Sequence, residues 1–306
     1  MKILIAGATG MIGQALVTAW QGQHDITVLG RDRVKLKKSF PNLKKMTWAQ
    51  LDSATTFNVV INLAGANIGQ GRWTAKRKQM ILQSRVQTTK RLAKWCASET
   101  NPPRLLNASA IGVYGLLKTT TEQERHVFDE QSSVPNPPQD FLAKVAVTWE
   151  QALLEAEQAG VPVTKMRFGV VLTKHGGALA KMLPTFKLGL GGPIGTGEQP
   201  FSWVALSDVV RALTFLLEHP ALTGPINIVA PAVVSQQQFA KTLGKILHRP
   251  TIMRLPAWLV KALFGQMGEE LLLNGITVQA KRLTAAGFHF SHNTLEQALL
   301  DMKISP

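Results

Sequence analysis

Three glycines spaced three apart follow the first apolar run of the chain. Met1-Lys2-Ile3-Leu4-Ile5-Ala6 reads as a short strand, Gly7-Ala8-Thr9-Gly10-Met11-Ile12-Gly13 follows at once, and Gln14 to Trp20 has helical spacing. A strand delivering straight into a helix needs a turn without a Cβ at Gly7. It also needs an N–H open to close approach near Gly10 and a small contact at Gly13, where helix meets sheet. The N–H groups opening such a helix are unpaired and carry partial positive charge, which suits phosphate. Gly7, Thr9, Gly10, Met11, Ile12 and Gly13 are therefore the predicted cradle for the pyrophosphate of a dinucleotide.

A second strand, Ile26-Thr27-Val28-Leu29, ends at Gly30-Arg31, about twenty residues on, where the ribose of a dinucleotide is read. A carboxylate there accepts from a ribose 2′-hydroxyl, whereas the guanidinium of Arg31 pairs with a 2′-phosphate. The residue type favours NADP(H) over NAD(H), with Asp32 beside it arguing the other way. Lys35, Lys37 and Lys38 add positive potential, although a solvated helix face is the plainer reading of three nearby lysines.

The elements that must position these residues alternate strand and helix through the first 170 positions, as a doubly wound parallel sheet requires. Further strands are predicted at 59–63, 104–108 and 163–167, with long helices from Thr74 to Ser98 and from Phe141 to Ala159. Glycine density rises at Gly176-Gly177 and from Leu188 to Gly197, which reads as loop bordering a substrate cleft. A helix and strand near 201–229 rejoin the sheet, and helices dominate from Ser235 onward. The fold class is α/β, a doubly wound parallel-sheet Rossmann domain over 1–170 with 198–232 rejoining it. A smaller, mainly helical substrate-binding lobe takes 171–197 and 233–306. Trp258, Phe264, Phe288 and Phe290 are assigned to its core.

The 306 residues, 45% hydrophobic and 17% charged, describe an ordinary globular protein. Cys96 is the single cysteine, which excludes an intrachain disulfide or a cysteine metal site and fits a reducing cytoplasm. No apolar run reaches the ~18 residues a bilayer span needs, so no membrane segment is expected. His175, His289 and His292 lack metal-ligand spacing, and no metal is predicted. The net charge of +15 raises the question of nucleic acid, but the basic residues are scattered and no nucleic-acid motif accompanies them. A small polar molecule is the expected partner, and attraction to an anionic one is among the accounts of the basic charge.

The Gly-x-x-Gly-x-x-Gly spacing resembles the extended branch of the short-chain dehydrogenase/reductase superfamily. Asn62-Leu63-Ala64-Gly65-Ala66-Asn67-Ile68, Arg72-Trp73-Thr74, Ser84-Arg85 and the run from Met182 to Gly195, with Leu-Gly-Leu-Gly-Gly-Pro-Ile-Gly at its end, sharpen the likeness. Across essentially its whole length the chain resembles the YfcH-type epimerase family proteins, atypical SDR39U1-like reductases. The resemblance implies an extended reductase fold, NADP(H), and no particular substrate. It implies that Leu63, Ala64 and Gly65 lie against the cofactor, that Arg85 faces it from a helix, where a surface arginine is the alternative, and that Val171 lies toward the nicotinamide. The helices 74–98 and 141–159 match those that form a four-helix dimer interface in many relatives, which slightly favours a homodimer over the alternative that each covers its own sheet.

In the superfamily a serine acts with a tyrosine four residues before a lysine on one helix face. Here that helix reads Asp140-Phe141-Leu142-Ala143-Lys144, with Lys144 in place and Asp140 where the tyrosine belongs. A carboxylate beside Lys144 is a poor proton donor, so Asp140 is read as a helix cap in preference to the alternative of a catalytic acid. Ser109 corresponds to the catalytic serine, one residue farther than usual from Tyr114, the only tyrosine of the chain. Tyr114 is read as proton donor or as a packing or substrate-bonding residue. The expected function is an NADP(H)-dependent oxidoreductase or nucleotide-sugar-epimerase-like enzyme using Ser109, Tyr114 and Lys144. The alternative is a non-catalytic NADP(H) sensor or scaffold.

Overall fold

The computed structural model describes residues 1–53, 56–116 and 126–304. Strands β1 (Lys2–Ala6), β2 (Asp25–Gly30), β3 (Lys44–Thr47), β4 (Val59–Asn62) and β5 (Arg104–Ala110) alternate with helices α1 (Met11–Trp20), α2 (Arg33–Ser39) and α3 (Ala75–Ser98). The short β6 (Val127–Phe128), the helices α4 (Phe141–Gln151) and α5 (Leu154–Gln158), and β7 (Val163–Phe168) complete the first part of the chain. After β8 (Val170–Thr173), α6 (Gly177–Lys187), β9 (Pro200–Phe201), β10 (Trp203–Ala205) and α7 (Leu206–Glu218), strand β11 (Gly224–Ile228) returns to the sheet. The seven-stranded sheet has the order β11-β7-β5-β4-β1-β2-β3, with every pairing parallel. This is the Rossmann-like doubly wound architecture expected from the alternation of elements.

Strand β3 is the member that the sequence pattern missed. Lys-Lys-Met-Thr is short and mostly polar, as suits an edge strand paired only with β2. The predicted helix 141–159 is two helices, broken at Ala152-Leu153.

The two faces of the sheet differ. On one, Ile3, Ile5, Ile61, Leu106, Met166 and Ile226 pack with residues of α1 and α7 in a single apolar core. On the other, Leu4, Ala6, Leu29, Val60, Leu105 and Val163 pack beneath Leu92, Trp95 and Ala156, and in β4, β5 and β7 the apolar residues of this face stop short of the C-terminal ends. Toward the C-terminal ends this face turns polar, because side chains two apart share a face. Asn62, Asn107, Ser109, Arg167 and Asn227 are all buried there.

From α8 (Gln236–Leu247) and α9 (Ala257–Phe264) onward the chain is mainly helical, as expected, and β12 (Thr277–Val278) pairs with β6. Phe288 and Phe290 are core residues, whereas Trp258 is 70% exposed and Phe264 half-buried. The assignment of Trp258 to the core is thus corrected: it lies in the first turn of α9, whose one buried residue is Val260.

Candidate functional site

Gly7 closes the turn after β1 at φ +82°, and a Cβ there would stand 2.6 Å from the carbonyl carbon of Leu63. Only glycine fits, both for the positive φ and for the close approach of two backbones. A Cβ on Gly13 would meet the Cα of Ala8 at 2.6 Å, so α1 sits hard against the turn. Gly10 is the N-cap of α1 and supplies no side-chain acceptor; the first turn carries no acidic residue. The N-terminus of α1 is therefore neither capped nor neutralised from its own sequence, which leaves its dipole available to an anion. Met11 leans across to the turn before α6, with its Sδ 3.2 Å from where a Cβ on Gly176 would be. That contact brings the β8 region, including Val171 paired with Val204 of β10, beside the glycine turn.

At the end of β2, Asp32 is committed elsewhere. Its Oδ1 accepts from Val34 N at 2.9 Å and Lys35 N at 3.1 Å, capping α2. Arg31 is exposed and has no hydrogen bond or ion pair among the described residues.

The loop after β4 is held from below. Ala64 N donates to Asn62 Oδ1 at 3.1 Å, and the Asn62 amide donates to Asn107 Oδ1 at 2.6 Å and Thr89 Oγ1 at 2.9 Å. Arg85 donates from Nη1 to the carbonyls of Ala66 and Ile81, both at 3.0 Å, and lies 5.1 Å over the Trp149 ring. A Cβ on Gly65 would be 3.1 Å from its Cζ. Burial and the nearby charge of Arg77 bring the Arg85 guanidinium down to about 10, still cationic at neutral pH. Thus Gly65 and Arg85 adjoin, next to the Leu63 backbone that faces Gly7.

Ser109 and Tyr114 are joined through Glu150 and Arg167 in one buried network, and Lys144 stands outside it. Ser109 is 3% exposed and donates from Oγ to Glu150 Oε1 at 2.7 Å. Tyr114, 1% exposed, donates to Asn227 Oδ1 at 2.9 Å, accepts from Arg167 Nη1 at 3.0 Å and stacks on Phe128. Lys144 is exposed on the outer side of α4. The buried residues of α4 are Ala143, Val145, Ala146, Trp149 and Glu150, and half-buried Leu142 has its Cβ 3.4 Å from the place of a Cβ on Gly112. Leu142 and Ala146, the pair one turn apart that stands nearest the Gly112–Tyr114 turn, carry no titratable group. Asp140 caps α4 as expected: its Oδ1 accepts from Ala143 N at 2.8 Å, and its Oδ2 accepts from Leu116 N at 2.9 Å.

What surrounds Ser109 and Tyr114 is a buried polar row that the motifs did not reveal. Ser109, Arg167 and Asn227 are register neighbours on β5, β7 and β11. Arg167 donates from Nε and Nη2 to the two oxygens of Glu150, each at 2.8 Å. Burial opposes the Arg167 charge, but the Glu150 carboxylate outweighs it and holds the guanidinium's pKa above its usual value. Glu130 then accepts from Asn227 N at 3.0 Å and from Arg282 N at 3.3 Å, tying the row to the C-terminal part of the chain. One signal was available. Arg167 lies between Met166 and Phe168 in a central strand, where a charge must find a buried partner.

A match to the NAD dependent epimerase/dehydratase family spans residues 3–229, more than half of the chain. The chain belongs to that family. Residues 255–302 match a further domain of unknown function, DUF1731. The epimerase-family resemblance read from the motifs is also met among curated proteins. An epimerase family protein of Mycobacterium bovis is 38% identical over 303 residues, covering 97% of this chain and 96% of that one. One from Staphylococcus haemolyticus is 35% identical over 309 residues, covering 98% of both. Among solved structures, human epimerase family protein SDR39U1 (isoform 2), crystallised with NADPH, has a TM-score of 0.88 at 32% identity across 99% of both chains. A UDP-glucuronic acid 4-epimerase from Bacillus cereus, at TM-score 0.77 and 17% identity over 99% of each chain, shares the fold.

Proposed function

We propose that this epimerase-family chain binds NADP(H) at the C-terminal edge of its sheet. The observation that carries the reading is the cradle: a turn at Gly7 too close to Leu63 for any side chain, opening an α1 N-terminus with no cap of its own. Gly7, Thr9, Gly10, Met11, Ile12 and Gly13 would surround the pyrophosphate. Leu63, Ala64 and Gly65 would lie beside the adenosine half with Arg85 beneath them, and Val171 would lie toward the nicotinamide. Arg31, exposed and unpaired while Asp32 is spent on a helix cap, would take the 2′-phosphate. The human relative crystallised with NADPH supports the same choice.

When bound, the nicotinamide supplies a hydride donor or acceptor. The chain's own residues decide whether that chemistry can proceed. Membership of an epimerase/dehydratase family favours an oxidoreductase or nucleotide-sugar-epimerase-like reaction on a small polar substrate, held by 171–197 and 233–306. The buried hydroxyls of Ser109 and Tyr114 and the outward Lys144 favour the second reading, a non-catalytic NADP(H) sensor or scaffold. A proton relay needs its groups within hydrogen-bond reach of a substrate oxygen. On the geometry, cofactor binding without the ordinary serine–tyrosine–lysine relay is the better-supported function.

Calorimetric titration with NADPH and NADH tests the cofactor assignment. Arg31→Ala is expected to weaken NADPH by about 10- to 100-fold, the value of a charge-assisted phosphate contact, and to leave NADH unchanged. Equal loss for both nucleotides would remove Arg31 from the 2′-phosphate. Turnover of NADPH with a sugar nucleotide or a small carbonyl compound, retained in Tyr114→Phe, would restore catalysis while excluding the phenol as donor.

A further inference from the structure

The cofactor reading leaves unused a basic, apolar surface at the C-terminal end of α6. Leu188 is 74% exposed and Ile252 85%, with Leu190 and Met253 also open to solvent. These belong to two segments that lie against each other. A Cβ on Gly189 would be 3.7 Å from Pro250, one on Gly192 would meet the Met253 carbonyl oxygen, and Leu255 N donates to Pro193 O at 2.9 Å. Trp258 follows in the first turn of α9, also exposed. Four aliphatic side chains on adjoining loops are a protruding patch rather than the scatter of single exposed residues normal for a surface.

The charge around the patch has one sign. Lys187, Arg249 and Arg254 are exposed beside it, and Arg249 donates from Nε to the backbone carbonyl of Lys187 at 2.7 Å, which ties the end of α6 to the segment that carries Ile252 and Met253. The segments that supply this surface lack acidic residues altogether: 158–197 holds five Lys or Arg and 219–268 another five, with no Asp or Glu in either. Four of these ten cations are paired with acids elsewhere in the chain, Lys165 with Glu157, Arg167 with Glu150, Lys245 with Glu296 and Lys261 with Glu269, and Lys187, Arg249 and Arg254 are the exposed cations that adjoin the apolar residues.

We infer that this surface docks the protein peripherally on a bilayer bearing anionic lipid headgroups. Leucine, isoleucine and methionine at loop tips gain by entering the acyl boundary, while flanking cations pair with the headgroups and a tryptophan suits the interface between them. A nucleic acid matches the charge but not the patch, since aliphatic tips offer no stacking platform for bases. A second copy of the chain matches the apolar residues but brings cation against cation. No helix among the described residues is long and apolar enough to cross a membrane, so the contact is one of surface and not of span.

Flotation of the full chain with vesicles tests the inference. Vesicles of phosphatidylcholine mixed with phosphatidylglycerol should carry the protein upward, and vesicles of phosphatidylcholine alone should not. Arg254→Gln is expected to weaken partition by about fivefold. The pair Ile252→Ser and Met253→Ser should weaken it by about tenfold or more. Both variants should keep the melting temperature and NADPH binding of the parent, because the replaced side chains are exposed and none is among the residues assigned to the cofactor. The emission of Trp258, taken as the difference from Trp258→Phe, should shift to the blue on vesicle binding. Failure to float with anionic vesicles overturns the inference, as does equal binding to both vesicle types or binding indifferent to the serine pair. Retention on single-stranded RNA without flotation would assign the surface to nucleic acid. A concentration-dependent dimer abolished by the serine pair, again without flotation, would assign it to self-association.

Discussion

At β1 and β4 the sheet ends in backbone: a glycine at φ +82°, a Leu63 carbonyl carbon 2.6 Å from where its Cβ would be, and a helix start with nothing capping it. At β5, β7 and β11 the same sheet ends in side chains, Ser109, Arg167 and Asn227, locked to Glu150, Tyr114 and Glu130. The first end leaves its donors unpaired and is ready for an anion. The second has paired its own polar groups and buried them. A site of backbone groups and a network of side chains can stand a few strands apart because they answer different demands, the one for close approach and the other for neutralising charge away from water.

The sharpest way to break this contrast is at Glu150. Replacing it with alanine strands the Arg167 guanidinium, and urea denaturation should register a loss of about 3–5 kcal/mol, the cost of orphaning one partner of a buried pair. A loss below about 1 kcal/mol would mean that water reaches the row, which would reopen Ser109 and Tyr114 as groups a substrate can approach. At the opposite end, Gly7→Ala should cost about 1–3 kcal/mol through backbone strain and displace the turn from Leu63. Calorimetry should then find NADPH affinity lowered beyond what the stability change explains, and unchanged affinity would place the nucleotide elsewhere.

Tyr114→Phe removes a hydroxyl that both donates and accepts, and should cost about 1–2 kcal/mol at neutral pH. Burial, helped by Glu130, raises the Tyr114 pKa against the opposing pull of Arg167 and Asn227. The fold therefore keeps the neutral phenol. Its contribution is complete below the unfolded value of ~10 and is lost as pH rises through the higher folded value. The stability gap between parent and Tyr114→Phe should accordingly close in alkaline solution, and a constant gap would contradict burial of the phenol. The smallest effect belongs to Lys144→Ala, expected within about 0.5 kcal/mol in stability and without change in NADPH binding. A marked loss of affinity would return Lys144 to the cofactor.

The cradle was legible because its information is local. Gly7, Gly10 and Gly13 fall within seven positions, and strand, turn and helix follow one another in the chain. Asp140 as a cap was likewise readable from its place before an apolar helical run. Helix phase was not. Counting four residues back from Lys144 pointed to Asp140, whereas packing of α4 on the sheet turned Leu142 and Ala146 inward and left Lys144 outside. Trp258 illustrates the converse: an aromatic residue reads as core, and only the docking of α9 through Val260 exposes it.

By itself, the sequence determined the doubly wound α/β order, the glycine turn and the residue type at the ribose end, because periodicity and steric permission act over a few neighbouring residues. Tertiary structure alone decided which charges meet. Glu150 reaches Arg167 across 17 positions, and Tyr114 reaches Asn227 across 113. The energy of a buried charge depends on what the whole fold places around it, and no local pattern carries that information.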